Sequence, residues 1–549
     1  MKRLKQIQIP EWAWLLLALM LAAGVKVLLL WADSLPFNAD EAVVALMARH
    51  IALGREFPVF FYGQAYMGSL DALLAAIGFR IFGEQVWVIR AIQTLLYLGT
   101  MGVVFAITRR IYADSPRTAL WTVFLLAVPT VNVTLYTTIS LGGYGEALLL
   151  GCLAIWGALV LRTRLLRAAP IPFWGWLLWG AGIGLGFWAF ALSLVFALPA
   201  GVYVLLALWG APANRPLRLL RAALLFLAGF LLGAAPWFWF AYQHGFEILL
   251  RELTLGGVAG VSGVSPLLRP FVHAFNFLLL GMTVIFGLRP PWDVRWLAAP
   301  LLPFALAFGL GVWVYAIRRA RKTAEEALLL GVMLTLVALF IFSSFGVDPS
   351  GRYFVPLVVP LAIFSARWLT GLQKSIGRWV VLLLALLMLY NAWGTLQSAL
   401  RYPPGITTQF DAVTQVDHRF MNELADFLRT HGETHGYTNY WVSYPLAFLT
   451  QEELVFVARL PYHQDFRYTP REDRYPPYAE QVARAKKIAY ITTNNPPLDE
   501  NLRAEFTRLG VTWQEHTIGN YQIFYALSQP VQPIVDGAFS ALQLVIRDK

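Results

Sequence analysis

Two adjacent carboxylates, Asp40 and Glu41, follow the first long apolar run of the chain. Two more charges take the same kind of position later: Glu146 in Gly142-Gly-Tyr-Gly-Glu, at the mouth of the apolar stretch 144–161, and Arg352 in Asp348-Pro-Ser-Gly-Arg-Tyr, before 353–369. Acids and a cation gathered from three distant parts of one chain are the parts of a reaction site at a membrane surface. Each also has a plainer reading. Acids complement the dipole of a helix's first turn, and an arginine beside a span snorkels to the interface.

The elements that must carry these residues are apolar. Of 549 residues, 58% are hydrophobic and 14% charged, where a soluble chain carries roughly 25% charge. The composition predicts a polytopic membrane protein, and 21 tryptophans suit rings at bilayer interfaces. The net charge of +11 is spread over short loops between apolar stretches, so it reads as a topology signal and not as a nucleic-acid face. A single cysteine, Cys152, excludes an intrachain disulfide and a thiolate metal cluster. The basic start Met1-Lys-Arg-Leu-Lys and the run Trp12–Trp31 look like a signal sequence, but the run is long enough to span and to remain as a first transmembrane helix.

Spans are expected at 12–31, 86–108, 118–138, 144–161, 174–190, 192–209, 222–242, 297–317, 327–345, 353–369 and 378–397, about eleven in all, with 271–288 open between a span, a re-entrant segment and an interfacial helix. With the N-terminus cytoplasmic, all five inner loops are basic: Arg109-Arg110 with Arg117; Arg162, Arg164 and Arg167; Arg215, Arg218 and Arg221; Arg318-Arg319 with Arg321 and Lys322; Lys374 with Arg378. The same parity puts 32–85, 139–143, 243–296 and 346–352 outside. In the first outer segment, 38–54 and 67–82 have the helical spacing of amphipathic helices in the headgroup layer. Pro403-Pro404-Gly405 ends the last span, so the expected domains are 1–400 in the membrane and 401–549 outside it as a soluble α/β domain. There, helices are read at 418–431, 476–486 and 498–509, and strands at 436–444, 453–458, 487–492, 511–516 and 521–527. No Gly-rich loop joins a strand to a helix, which argues against a nucleotide site.

Three runs, Phe37-Asn-Ala-Asp-Glu-Ala, Tyr62-Gly-Gln-Ala-Tyr-Met-Gly-Ser-Leu-Asp-Ala and Gly351-Arg-Tyr-Phe-Val-Pro-Leu, together with the span order, resemble the GT-C membrane glycosyltransferases. The branch is the one holding protein O-mannosyltransferases, aminoarabinose transferases and galacturonosyltransferase-like proteins, and the resemblance covers roughly residues 1–400. It implies a polyprenyl-phosphate sugar donor, an inverting single displacement, and a lipid, glycan or protein acceptor. Asp40 matches the family's base. A hydroxyl nucleophile needs such a base within about 3 Å. Glu41 would orient the acceptor or bind a second hydroxyl. Arg352 matches the family's late arginine, whose fork suits the phosphate that gathers charge as it leaves. Glu146, after Tyr144 and two glycines, stands where backbone approaches a ligand closely, and Gln64 and Tyr66 are candidates for sugar hydroxyls.

Other features carry two readings each. Lys26 reaches toward a phosphate or simply snorkels, and Gly256, Gly257, Gly260 and Gly263 suit a closing loop or a plain connection. Arg467, Arg471 and Arg474 alternate with Tyr468, Tyr475 and Tyr478, as a glycan grip or as a solvated strip. His244 and Glu247 alone do not make a metal site, so no cofactor is assigned and divalent-metal dependence stays open. The competing function is a transporter or lipid-linked glycan flippase. Asp40 and Glu41 lie outside the hydrocarbon, and no repeat or pair of broken helices marks a midplane site.

Overall fold

The computed structural model describes residues 10–210, 215–255, 265–463, 466, 468–534 and 542–547. The basic start, the four glycines of 256–263, Arg467 and the side chains of Arg215 and Arg218 lie outside the described residues. The chain divides into two compact units. One takes the residues up to Ala32, Tyr66–Leu70 and Arg90–Ser398; the other takes Asp33–Ala65, Asp71–Ile89 and the residues from Ala399 on.

The first unit is helical. Among the described residues, seven stretches are long and apolar enough to cross a membrane, or eight if Leu219–Gly233 and Ala235–His244, bent by 68°, form one span. The seventh, Arg352–Leu400, holds two successive helices, Val358–Ile376 and Val380–Leu400. The chain is thus a multi-pass α-helical membrane protein. Every one of the eleven predicted stretches is helical, but 118–138 is broken into Pro116–Ala127 and Val131–Tyr136, since Pro129 has no N–H to continue the ladder. The region 271–288 is a short helical run, Arg269–Phe275, Asn276–Gly281 and Met282–Ile285, with a π-helical middle.

Helices Phe173–Ala189 and Arg215–Gly233 pack backbone to backbone. A Cβ added at Gly180 or Gly184 would lie 2.2 Å from the carbonyl oxygens of Phe226 and Phe230 respectively, and one at Gly229 or Gly233 would lie 2.0 and 2.1 Å from those of Leu177 and Ala181. In lipid, where there is no hydrophobic drive between helices, such small-residue seams let dispersion contacts hold a pair together. Lys26 does not snorkel. It is buried, and its ammonium donates to the Thr137 carbonyl (2.6 Å), Thr137 Oγ1 (2.8 Å) and Thr138 Oγ1 (2.8 Å), with the Tyr97 ring 4.7 Å away. Its three donors fix the turn that follows Val131–Tyr136 and so are not available to a phosphate.

The second unit is built on a five-stranded sheet in the order Val455–Ala458, His435–Thr438, Ala489–Thr493, Tyr521–Tyr525, Gln514–Ile518. The first three strands are parallel, with Gly436 opposite both Phe456 and Ala489, and the last two run antiparallel, with Tyr490 opposite Phe524. Leu424, Leu428, Val442, Leu446, Phe456 and Ile523 share its core. Helices form at Met421–His431, Pro476–Arg484 and Pro496–Arg508, as expected. The expected strand 436–444 is half right. The strand ends at Thr438, and Tyr440–Leu449 is a helix, because the Asn439 side chain accepts from Trp441 N at 3.0 Å and caps it.

Helices also form between the first two spans, at Ala39–Ala52 and Leu70–Phe82. Twelve of the fourteen residues of Ala39–Ala52 are buried, and this helix packs on Tyr440–Leu449 within the same unit. Arg49 Nη2 donates to the Phe448 carbonyl at 2.9 Å, and the Arg49 guanidinium lies 4.4 Å from the Phe448 ring.

Candidate functional site

The candidate residues fall into two clusters, one in each unit. In the second unit, Asn38 caps the Ala39–Ala52 helix by accepting from Glu41 N at 3.0 Å, which puts both acids in its first turn. The two acids face different ways. Glu41 is fully buried, whereas Asp40 is half-buried and its Oδ1 accepts from Tyr440 Oη at 2.5 Å. Tyr440 opens the Tyr440–Leu449 helix. Burial and then the Asp40 charge push its phenol well above the usual tyrosine range, so it remains an O–H donor; the Arg474 charge acts in the opposite direction.

Arg474 is buried, 5.3 Å from the Tyr440 ring and 5.8 Å from the Phe61 ring. With its amide oxygen turned inward, Gln64 accepts from both Arg474 Nη1 and Nη2, at 2.7 and 2.8 Å. Gln64, called for sugar hydroxyls, is therefore bonded to protein. The alternating Arg–Tyr strip is not uniformly solvated either, since Arg474 and Tyr478 are both buried. Tyr462 completes the surroundings. It donates to Glu472 Oε1 at 2.6 Å, and burial, Glu472 and the Asp40 charge all raise its phenol.

In the first unit, Gly351 at φ 110° turns the chain into Arg352–Leu357, and Asn132 Nδ2 holds its carbonyl at 3.2 Å. Arg352 Nε lies 2.6 Å from Asp348 Oδ2, an ion pair without hydrogen-bond alignment, and its guanidinium sits 4.9 Å from the Tyr353 ring. The side chain is 32% exposed. The Phe345 ring lies 5.1 Å from Tyr353 and 6.2 Å from Tyr66, and the Phe190 ring lies 6.2 Å from Tyr66 and 5.0 Å from Tyr144. Three of the residues singled out as substrate contacts, Tyr66, Tyr144 and Arg352, therefore meet here.

Tyr66 and Tyr353 also line an apolar cavity of about 250 Å³ with Phe190, Val195, Leu336 and Phe340. Glu146 is not among the residues that line this cavity. It is buried, and Gln93 Nε2 donates to its Oε1 at 3.4 Å.

Sequence reasoning missed Tyr440 and Tyr353. Tyr353 follows Arg352 directly, so the arginine's own motif carried the signal. Tyr440 stands 400 positions from Asp40 and was placed in a strand; Asn439 as a helix cap was the available clue. His244 and Glu247 are both exposed, and among the described residues no three His, Cys, Asp or Glu side chains stand together in a way that could hold a metal.

No protein-family model and no curated protein matches the sequence. Solved structures do. ArnT from Cupriavidus metallidurans bound to undecaprenyl phosphate aligns over 92% of this chain and 97% of its own, with a TM-score of 0.54 at 15% identity. Its apo form aligns over the same shares with a TM-score of 0.55 at 14% identity. The archaeal oligosaccharyltransferase AglB from Archaeoglobus fulgidus, in complex with an inhibitory peptide and a dolichol-phosphate, aligns over 90% of this chain and 71% of its own, with a TM-score of 0.51 at 14% identity. ArnT and AglB are GT-C glycosyltransferases, and this chain shares their fold.

Proposed function

We propose that the protein is a glycosyltransferase that moves a sugar from a polyprenyl-phosphate carrier to a hydroxyl acceptor at the outer membrane face. Its N-terminus is cytoplasmic in this reading, residues 1–400 form the membrane domain, and 401–549 lie outside. The observation that carries the reading is the apolar cavity lined by Tyr66 and Tyr353, with Arg352 partly exposed beside Tyr353. An isoprenoid tail needs such a lining, and its phosphate needs such a cation. The shared fold with proteins solved bound to undecaprenyl phosphate and dolichol-phosphate supports the same lipid class.

In the proposed step the acceptor oxygen bonds to the anomeric carbon as the bond from that carbon to the phosphate oxygen breaks. The electron pair leaves with the lipid phosphate, whose charge Arg352 offsets, and the hydroxyl proton passes to the Asp40 carboxylate. Attack from the face opposite the leaving group inverts the anomeric centre. Tyr66 and Tyr144 are the proposed neighbours of the donor's head.

The test is transfer from a panel of polyprenyl-phosphate sugars by the full-length protein in nanodiscs. Asp40→Asn should abolish turnover while the variant still retains undecaprenyl phosphate. Turnover at the wild-type rate by Asp40→Asn would remove the base assignment, and failure of the wild type to retain undecaprenyl phosphate over undecaprenol would remove the donor class.

A further inference from the structure

We infer that the soluble domain completes the catalytic apparatus: Tyr440, braced by Arg474, is the positioning residue that orients the Asp40 carboxylate. The inference rests on the reading of Asp40 as the base and adds two residues to it.

Tyr440 is held rigidly from below. Asn439 caps its helix, and its Nδ2 donates to Thr493 Oγ1 at 2.9 Å, while Thr438 Oγ1 donates to the Ile491 carbonyl at 2.8 Å. The start of the helix is thereby bonded to the neighbouring strand of the sheet. From the side, Arg474 lies over the Tyr440 ring and is itself fixed through Gln64 and through its backbone N, which donates to Tyr444 Oη at 2.5 Å. Tyr444 in turn donates to the Glu472 carbonyl at 3.0 Å. A phenol anchored on two sides gives its proton to one oxygen of Asp40 in a single direction. That fixes the carboxylate plane and directs the other oxygen, Oδ2, to the acceptor's proton.

Among the described residues, several charged or titratable groups face this pair. Arg474, Tyr444 and Tyr462 approach from the soluble domain, Glu472 stands behind Tyr462, and Glu41 follows on Asp40's own helix. Arg474 next to the phenol polarises its O–H and makes it the stronger donor.

The experiment compares Tyr440→Phe, Arg474→Lys and Asp40→Asn in the full-length protein, reading donor KM, kcat and melting temperature. Tyr440→Phe keeps the ring and removes one oxygen. It should lower kcat about 10- to 100-fold with donor KM and melting temperature within error of wild type. Arg474→Lys keeps the charge without the fork and should give a smaller loss of the same kind.

A Tyr440→Phe enzyme with wild-type kcat, beside an inactive Asp40→Asn, overturns this inference alone. A fall in kcat that tracks a lower melting temperature, or that comes with an equal loss of donor affinity, also overturns it, because it marks packing. An active Asp40→Asn overturns the base assignment itself, whatever Tyr440→Phe does.

Discussion

Arg352 gives the sharpest quantitative test of the donor reading. Its side chain is 32% exposed and that of its Asp348 partner 18%, and the pair at 2.6 Å lacks hydrogen-bond alignment. The arginine's N–H groups are thus not spent on Asp348, which acts mainly as a nearby negative charge. A hydrogen bond to a charged group contributes about 1.5–3 kcal/mol. The partial exposure argues for the low end, so Arg352→Ala should weaken undecaprenyl phosphate binding by roughly 10- to 30-fold, at about 1.4 kcal/mol per tenfold.

Asp348→Ala should act in the opposite sense. A partly exposed ion pair is worth about 0.2–1 kcal/mol, and releasing the arginine from it should tighten the lipid phosphate by roughly 1.5- to 5-fold. Native mass spectrometry of the full-length protein, with undecaprenyl phosphate and undecaprenol as competing probes, separates head from tail. Undecaprenol should bind Arg352→Ala as it binds wild type. An Arg352→Ala protein that keeps its phosphate preference, or loses both lipids equally, refutes the role of the arginine.

Two further outcomes concern stability. Gly184→Ala puts a methyl 2.2 Å from the Phe230 carbonyl oxygen and should cost about 1–3 kcal/mol through forced separation of the helices. Gly182→Ala on the same helix meets nothing within 4 Å and is the control, so equal melting temperatures for the two in nanodiscs would contradict the backbone seam. In the other unit, burial pushes the Glu452 carboxyl up, but hydrogen bonds from His50, Tyr478 and Arg55 outweigh it and hold it at about 2, below the ordinary 4.5. A depressed acid contributes stability that is complete above 4.5 and is lost as pH falls toward 2. Glu452→Gln should therefore lower the melting temperature at neutral pH and flatten its decline over that window; an unchanged acid dependence would assign the decline to other carboxylates.

What was legible in the sequence followed from local physics. An apolar run near 20 residues has few fates, and all eleven such stretches became helices. The single proline that broke 118–138 was visible, but whether a proline kinks a span or ends it depends on the packing around it. At Tyr440-Trp-Val-Ser-Tyr the aromatic and β-branched residues mimic a strand, and only the Asn439 cap and Pro445, which is poorly suited to a central strand, argue otherwise. Of the site residues, Arg352, Tyr66 and Tyr144 lie in one aromatic cluster, although nothing in their local sequence pairs them. The inward turn of Glu146 toward Gln93 could not be read, because a first-turn acid favours the helix dipole equally from either face.

The most instructive stretch is 38–54, too polar for a bilayer core and too apolar for a free loop. Such a composition has two physical causes that a sequence cannot separate: a lipid interface or a protein partner. Here Ala39–Ala52 has the partner, with Ala42, Val43, Leu46 and Met47 buried in the same unit as the Tyr440–Leu449 helix on which it packs. Arg49 and His50, charged or titratable and equally buried, are tolerated because each has bonds from that side of the chain: Arg49 to Phe448, His50 to Glu452 at 3.0 Å. The consequence reaches Asp40. A carboxylate on a free interfacial helix would sample many rotamers, whereas one on a helix locked against Tyr440–Leu449 meets a fixed phenol at its first turn. The residues that make 38–54 look half-membranous are thus the same ones that hold its acid still.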